Sequence, residues 1–261
     1  MREGKRSEAL LTFDIRSLVS YTRSSVLALL HRPDVWLFTL FLAIVYPIAD
    51  YFFYSRLKTA LQVYLWNILA AWALTAATVV LIFRNNLTLS GFGQNLGTYP
   101  RTLIVIAALV LLVLILSVIN KRQKRKLSRE KAVKLTENVR KLLPSTGTER
   151  IVCVLVAFTA GFCEEFLYRG WLLNLTGAAC GSIWLGLLIS SIFFGFAHLY
   201  QGRRGVIGTG IGGLVFGLVY IASRSLLPGQ LLHTFLDLYN LLALSKLATR
   251  RESSSPAADS H

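Results

Sequence analysis

Long runs of uncharged, apolar residues constrain the fold of this chain more than any other feature of its sequence. Residues 59–83 are 25 consecutive residues without a charged side chain, and residues 103–119 are 17 more. A helix needs about 20 mostly apolar residues to cross a lipid bilayer, whereas a membrane-spanning strand alternates polar and apolar residues, which these runs do not. The sequence therefore predicts an all-α fold, a polytopic transmembrane helical bundle of seven or eight spans. Candidate spans lie near 35–54, 59–83, 102–120, 151–174, 182–200, 205–223 and 229–247.

The overall composition excludes the main soluble classes of protein. Of the 261 residues, 54% are hydrophobic, and the mean hydropathy is +0.55. This is more apolar than an ordinary soluble domain, and it excludes a disordered chain, which is poor in aliphatic and aromatic residues. The three cysteines are an odd number without paired spacing, so a disulfide-rich secreted module is excluded too.

Residues 121–150 form a polybasic segment between two candidate spans. They contain eleven Lys and Arg against three acidic residues, so they contribute +8 of the net charge of +15. Basic loops of membrane proteins stay on the cytoplasmic side, where anionic lipids attract them. We therefore predict a cytoplasmic loop rather than a nucleic-acid-binding segment. The same rule places the basic C-terminal tail in the cytoplasm and the turn at 176–182, which has no Lys or Arg, outside.

The pattern of charge and hydropathy divides the chain into five segments. They are a basic, amphipathic N-terminal segment (1–34), N-terminal transmembrane helices (35–120), the polybasic loop (121–150), a second transmembrane domain (151–247) and a disordered tail (248–261). The number of N-terminal spans stays open, because three spans between two basic regions would place the basic N-terminus outside. A further span within 9–31 would remove this conflict.

Three clusters of polar residues lie on spans that are otherwise nearly free of charge. A charge at the centre of a bilayer costs on the order of 2.5 to 3.5 kcal/mol on insertion scales, so such residues usually face a cavity and have a function. In the first cluster, Glu165 and Arg169 are four residues apart on one helical face, whereas the adjacent Glu164 points about 100° away. The other clusters are Phe194 to His198 and His233 to Asp237.

A glutamate and two histidines within one apolar domain suggest that the site activates water. A buried carboxylate is a competent general base, and imidazoles can hold the water or stabilise the oxyanion that forms when a peptide carbonyl is attacked. The same set, Glu164, His198 and His233, could instead bind zinc, although the sequence has no H-E-x-x-H motif. A structural ion-pair network that fixes helix packing is the remaining alternative.

The motifs EExxxR, FxxxH and HxxxD, in this order on successive apolar segments, resemble the CAAX prenyl protease and bacteriocin-processing (CPBP, or Abi) family of intramembrane endopeptidases. The resemblance covers roughly residues 151–247, which are therefore expected to be the catalytic domain. It implies that Glu164 activates the attacking water together with His198. His233 and Asp237 would form the oxyanion side of the site.

The resemblance also implies that Glu165 and Arg169 support the site by fixing the helix and tuning Glu164. An ionised Asp237 would repel a developing oxyanion. We therefore expect Asp237 either to be protonated or to orient His233 by accepting its N–H.

The predicted function is hydrolysis of a peptide bond in a membrane-associated protein or peptide, by an integral protein of the bacterial inner (plasma) membrane. The expected partners are membrane lipids and the peptide substrate, with no nucleic acid and no cofactor. Two alternatives stay open. One is a zinc-dependent form of the same protease, and the other is a non-enzymatic membrane scaffold or immunity-type protein that keeps the polar residues for packing.

Overall fold

The computed structural model of the protein describes residues 26–97, 102–107, 110 and 139–252, and it places their side chains except those of 246–252. These residues form helices and turns and no strand, so the predicted all-α fold is confirmed for this part of the chain. The main helices are Pro33–Arg56 (α1), Ala60–Arg84 (α2), Gly147–Ala179 (α3), Ile183–Phe196 (α4), Gly202–Ser223 (α5) and Leu227–Glu252 (α6).

Four helical segments of the described residues are long and apolar enough to cross a membrane. They are α1, α2, α3 and Leu199–Ser223, which includes α5, while α4 is a shorter apolar helix. The predicted span at 102–120 is described only at its start, where 102–107 are helical. The suggested extra span within 9–31, most of the polybasic loop and the end of the tail lie outside the described residues.

Short polar residues set the first turn of several helices. Thr59 accepts a hydrogen bond from the Gln62 backbone N–H, and the Gln62 side chain bonds back, which forms a capping box at the start of α2. Thr146 and Glu149 form the same arrangement at the start of α3. A cap of this kind contributes about 1 kcal/mol, because it satisfies backbone N–H groups that have no partner inside the helix.

Helix α3 is wider than an α-helix through its middle. Residues Ala160–Glu164 and Phe166–Leu173 have π-helical geometry, which shifts each hydrogen bond by one residue. Such segments are rare and occur frequently at functional sites. Every residue of Phe166–Leu173 is buried, so this stretch forms the centre of the bundle.

Glycines allow the backbones of neighbouring helices to pack closely, both between α3 and α6 and between α4 and α5. A Cβ added at Gly161 would lie 2.7 Å from the backbone N of Thr234 and 2.8 Å from the carbonyl O of Gln230, both on α6. At Gly195 of α4, an added Cβ would lie 2.6 Å from the carbonyl O of Val206 on α5. Helices can come this close only where no side chain intervenes.

The outer surface of the bundle is strongly apolar. Leu69 of α2 is 68% exposed and Ile151 of α3 is 71% exposed, and many further large apolar side chains lie on the same outer surface. Exposed apolar patches of this extent mark contact with lipid or with another protein. Together with the lengths of the helices, they indicate an integral membrane protein.

Residues 140–144, in the last part of the polybasic loop, pack across one end of the bundle. The Tyr64 hydroxyl donates to the carbonyl O of Leu142 at 2.7 Å, and Lys141 Nζ donates to the carbonyl O of Ser55 at 3.3 Å. Ser245 Oγ of α6 donates to the carbonyl O of Pro144 at 2.6 Å. The α1–α2 turn, the end of the polybasic segment and the C-terminal part of α6 therefore lie at the same end.

Candidate active site

The deepest part of the site is an ion pair on α3. Arg169 Nη1 lies 3.1 Å from Glu165 Oε1, and both side chains are 1% exposed. Arg169 Nη2 also donates to the carbonyl O of Gly213 at 3.2 Å, and its guanidinium lies 4.1 Å from the centre of the Phe194 ring. Charges this deeply buried are tolerated when they are paired and hydrogen-bonded; here Arg169 is paired with Glu165 and bonded through Nη2, whereas Nη1 makes the ion-pair contact without a hydrogen bond in the described residues.

The Glu165 carboxylate also orients a histidine on another helix. His233 Nδ1 of α6 lies 3.0 Å from Glu165 Oε1. Because a carboxylate accepts hydrogen bonds, the proton is on Nδ1, and Nε2 is left to face the interior of the bundle. Phe216 stacks on the His233 ring with centroids 4.8 Å apart. The imidazole is therefore fixed by one polar and one aromatic contact.

His198 follows the end of α4 and is oriented by a backbone carbonyl. Its Nδ1 lies 2.8 Å from the carbonyl O of Phe194, so Nδ1–H donates and Nε2 carries the lone pair in the neutral ring. The Phe194 ring meets both imidazoles edge-on, with centroids 4.9 Å from His198 and 5.9 Å from His233. Phe194 thus separates the two histidines and supports both rings.

Glu164 lies between the two histidines. Its Oε2 is 3.9 Å from His198 Nε2 and also 3.9 Å from His233 Nε2. This is too long for a direct hydrogen bond but short enough for one water to bridge. Oε2 has no hydrogen-bond partner within the described part of the chain, although 26% of the Glu164 side chain remains exposed. Oε2 is thus a buried oxygen without a hydrogen-bond partner among these residues, while other atoms of the Glu164 side chain reach the cavity surface.

Asp237 lies one helical turn after His233 on α6. Its Oδ2 is 3.5 Å from His233 Nε2, and its side chain is 36% exposed. Asp237 was expected either to be protonated or to orient His233 by accepting its N–H; in the structure Nδ1 of His233 contacts Glu165, and Asp237 lies nearest to Nε2. Sequence spacing could not show the contact with Glu165, because it joins residues 68 positions apart.

These side chains line one cavity of about 470 Å³. Glu164, His198, His233 and Asp237 all contribute to its wall, so the structure brings the four predicted residues together. Glu165 and Arg169 lie behind this wall, where they contact His233 and Phe194.

The N-terminal helices also line the cavity, which the sequence reasoning missed. Tyr46 and Asp50 of α1 and Asn67 of α2 face it, and Asp50 accepts a hydrogen bond from Trp66 Nε1 at 2.6 Å. The sequence feature that could have indicated this part of the site is Asp50, a charged residue directly after the uncharged run 35–49. Its position opposite α3 depends on helix packing, which spacing along the sequence does not show.

No metal centre is formed by the residues that the structure describes. Among them, no three His, Cys, Asp or Glu side chains are grouped as metal ligands. The zinc alternative, with Glu164, His198 and His233 as ligands, stays a prediction.

Comparison with known proteins agrees with the motifs. Residues 146–239 match the family described as type II CAAX prenyl endopeptidase Rce1-like. The predicted resemblance to CAAX proteases is therefore confirmed for this part of the chain, which includes all six predicted site residues. No curated protein and no solved structure matches the chain.

Proposed function

Because residues 146–239 are similar to type II CAAX prenyl endopeptidases, we propose that this protein is an intramembrane endopeptidase that hydrolyses a peptide bond with a water activated by Glu164 and His198. The main observation in support is that Glu164 Oε2 lies 3.9 Å from both His198 Nε2 and His233 Nε2 at the wall of the cavity. A water bridging these atoms would be within hydrogen-bond reach of a base and two imidazoles.

In the first step, the water oxygen attacks the carbonyl carbon while Glu164 accepts the water proton. The lone pair on His198 Nε2 accepts the second hydrogen bond of that water, so the ring aligns the nucleophile. The carbonyl electrons move onto oxygen, which becomes an oxyanion. When the tetrahedral intermediate collapses, the C–N bond breaks and Glu164 returns the proton to the leaving amine.

His233 is the proposed partner of the oxyanion. A ring protonated on both nitrogens donates Nδ1–H to Glu165 and Nε2–H to the oxyanion. Before the substrate binds, the proton stays on Nε2 and faces the Asp237 carboxyl group, whose Oδ2 lies 3.5 Å away. In this proposal the positive charge of the His233 ring offsets the repulsion between an ionised Asp237 and the oxyanion.

We propose that the cavity is reached from the cytoplasmic side of the plasma membrane. Val139 and Leu142, at the end of the polybasic loop, and Tyr200 and Gln201, in the turn before α5, all line it. The polybasic loop and the C-terminus would face the cytoplasm, so a substrate anchored at the inner leaflet would meet the site directly.

The proposal is tested with purified protein in proteoliposomes. Farnesylated peptides ending in Cys-a-a-X, the substrate class that the description of the family names, and their unprenylated counterparts are assayed by mass spectrometry. Glu164→Gln should lower cleavage by at least about 100-fold, because general-base catalysis contributes roughly 10²–10⁴.

Glu149→Gln is the matched control. Like Glu164→Gln, it replaces a glutamate of α3 by glutamine. Glu149 belongs to the capping box of α3, and the equivalent position of the α2 capping box is already Gln62, so the fold should be retained. Cleavage that survives Glu164→Gln would overturn the mechanism.

The other two interpretations make different predictions. A zinc-dependent enzyme would contain one zinc per chain, and its activity would be lost with chelators and restored by zinc. A scaffold or immunity-type protein would keep its cellular role in Glu164→Ala and His198→Ala variants. Metal analysis and complementation therefore separate them from the proposed metal-independent peptidase.

A further inference from the structure

Asp50 is a carboxylate inside a membrane-spanning helix with no cationic partner. It lies on α1, is 5% exposed, and contributes to the wall of the same cavity as Glu164. Within the described residues it forms no ion pair, and the hydrogen bond that it accepts comes from Trp66 Nε1. A charge at such a depth is costly and is usually retained for a function.

The contact with Trp66 holds one side of this carboxylate. The indole N–H donates to Asp50 Oδ1 at 2.6 Å, and the Trp66 ring packs on Phe53 with centroids 4.1 Å apart. An indole N–H can donate a hydrogen bond but supplies no positive charge. The second oxygen, Oδ2, is thus left to interact with whatever occupies the cavity.

The rest of the cavity wall is suited to a positive charge. Glu164 and Asp237 add two more carboxyl groups, and none of the described lining residues is Lys or Arg. His233, the cationic ring of the proposed mechanism, has its contacts with Glu164, Glu165 and Asp237. Tyr46 and Tyr200 contribute aromatic rings, whose faces attract cations. An occupant with a cationic side chain would therefore gain an ion pair that the protein itself does not provide.

We propose that Asp50 forms a specificity subsite that binds a Lys or Arg side chain of the peptide substrate close to the cleaved bond. This inference rests on the proposed peptidase function and names the substrate class for it. Substrates with a basic residue near the cleavage site would be preferred, because the ion pair with Asp50 forms in a site of low dielectric constant.

The first experiment digests a degenerate decapeptide library with the protein in proteoliposomes and maps the cleavage sites by mass spectrometry. For the unaltered protein we expect peptides with Lys or Arg near the cleaved bond to have kcat/KM values about tenfold higher, or more, than those of their Gln counterparts. Asp50→Asn should lower this ratio to about one, chiefly by raising KM for the basic peptides, and Asp50→Lys should favour acidic peptides.

Two control variants separate the effect of the Asp50 charge from an effect on structure. Asp50→Asn removes the charge but keeps an oxygen that accepts the hydrogen bond from Trp66, and it should abolish the preference. Trp66→Phe removes that hydrogen bond but keeps the charge, and it should leave the preference in place. Asp34→Asn neutralises another carboxylate of α1 that does not line the cavity, and it should leave the preference intact. A preference that is absent, or that is equal in the unaltered and Asp50→Asn proteins, overturns the subsite while leaving the peptidase proposal standing.

A second experiment does not depend on cleavage. The midpoint temperature of thermal unfolding is measured for the Glu164→Gln protein in nanodiscs, with octylammonium or with octanol added. Octylammonium should raise this temperature more than octanol does, and the difference should vanish in the Glu164→Gln/Asp50→Asn protein. If the library is not cleaved at all, the proposed peptidase function fails, and the unfolding measurement alone tests the Asp50 subsite. Equal effects of octylammonium and octanol on the unfolding temperature would refute the subsite.

Discussion

At the scale of single residues, the site depends on a chain of buried polar contacts. Arg169 pairs with Glu165, and Glu165 in turn holds Nδ1 of His233. The ion pair alone is weak evidence for stability, because desolvating two charges offsets much of their attraction. What the pair provides is a fixed acceptor for His233, which lies on a different helix.

Removal of one partner of this ion pair should be strongly destabilising. Arg169→Met removes the arginine partner of the buried Glu165 and leaves its contact with His233, and we expect a loss of about 3–5 kcal/mol in the free energy of unfolding. Glu165→Gln/Arg169→Met should recover part of that loss, because both charges are then absent. Denaturant unfolding in detergent micelles measures the three proteins, and a loss below about 1 kcal/mol for Arg169→Met would contradict this interpretation.

At the scale of elements, the site is set by how closely α3 and α6 approach each other. The π-helical turn Ala160–Glu164 ends at Glu164, and Gly161 within it contacts the backbone of α6 beside Thr234. Thr234 follows His233 directly, so the distance between the two helices also sets the distance between Glu164 and His233.

Gly161→Ala should therefore impair both stability and activity. The added methyl group would overlap the α6 backbone, and overpacking of this kind costs roughly 1–3 kcal/mol. Gly147→Ala on the same helix, where an added Cβ meets nothing within 4 Å, is the matched control and should be neutral or slightly stabilising. Thermal unfolding and cleavage assays test the pair, and equal behaviour of the two variants would refute the packing argument.

At the scale of the whole molecule, the N-terminal helices complete a cavity whose proposed catalytic residues all come from the second half of the chain. Tyr46 and Asp50 lie on α1, outside the region matched by the protease family. The turn between α1 and α2 lies at the same end of the bundle as residues 140–144. Since α3 rises about 1.5 Å per residue over 33 residues, Cys180 after it lies at the opposite end.

Cysteine labelling tests this arrangement in the membrane. Cys180 is exposed, whereas Cys153 and Cys163 are buried, so a membrane-impermeant maleimide should label intact cells at Cys180. In a Cys180→Ser background, Lys58→Cys in the α1–α2 turn should react only after permeabilisation. The reverse pattern would show that the polybasic loop faces outside.

The motif residues show how far the sequence alone could lead. The i,i+4 spacing predicts that Glu165 and Arg169 share a helical face and that Glu164 diverges from them, and the structure places Glu164 at the cavity wall and the ion pair behind it. The bond between Glu165 and His233 and the position of Asp50 at the cavity wall were missed, because both depend on how helices from distant parts of the chain pack together.

The sequence by itself determined the helical architecture of the described residues and the set of candidate reactive side chains, because apolar run length and helical periodicity are local properties of the chain. Only the tertiary structure decided which atoms meet. Glycine contacts bring the helix backbones together and α1 contributes an unforeseen carboxylate, since packing between helices depends on shape complementarity that spacing along the chain does not specify.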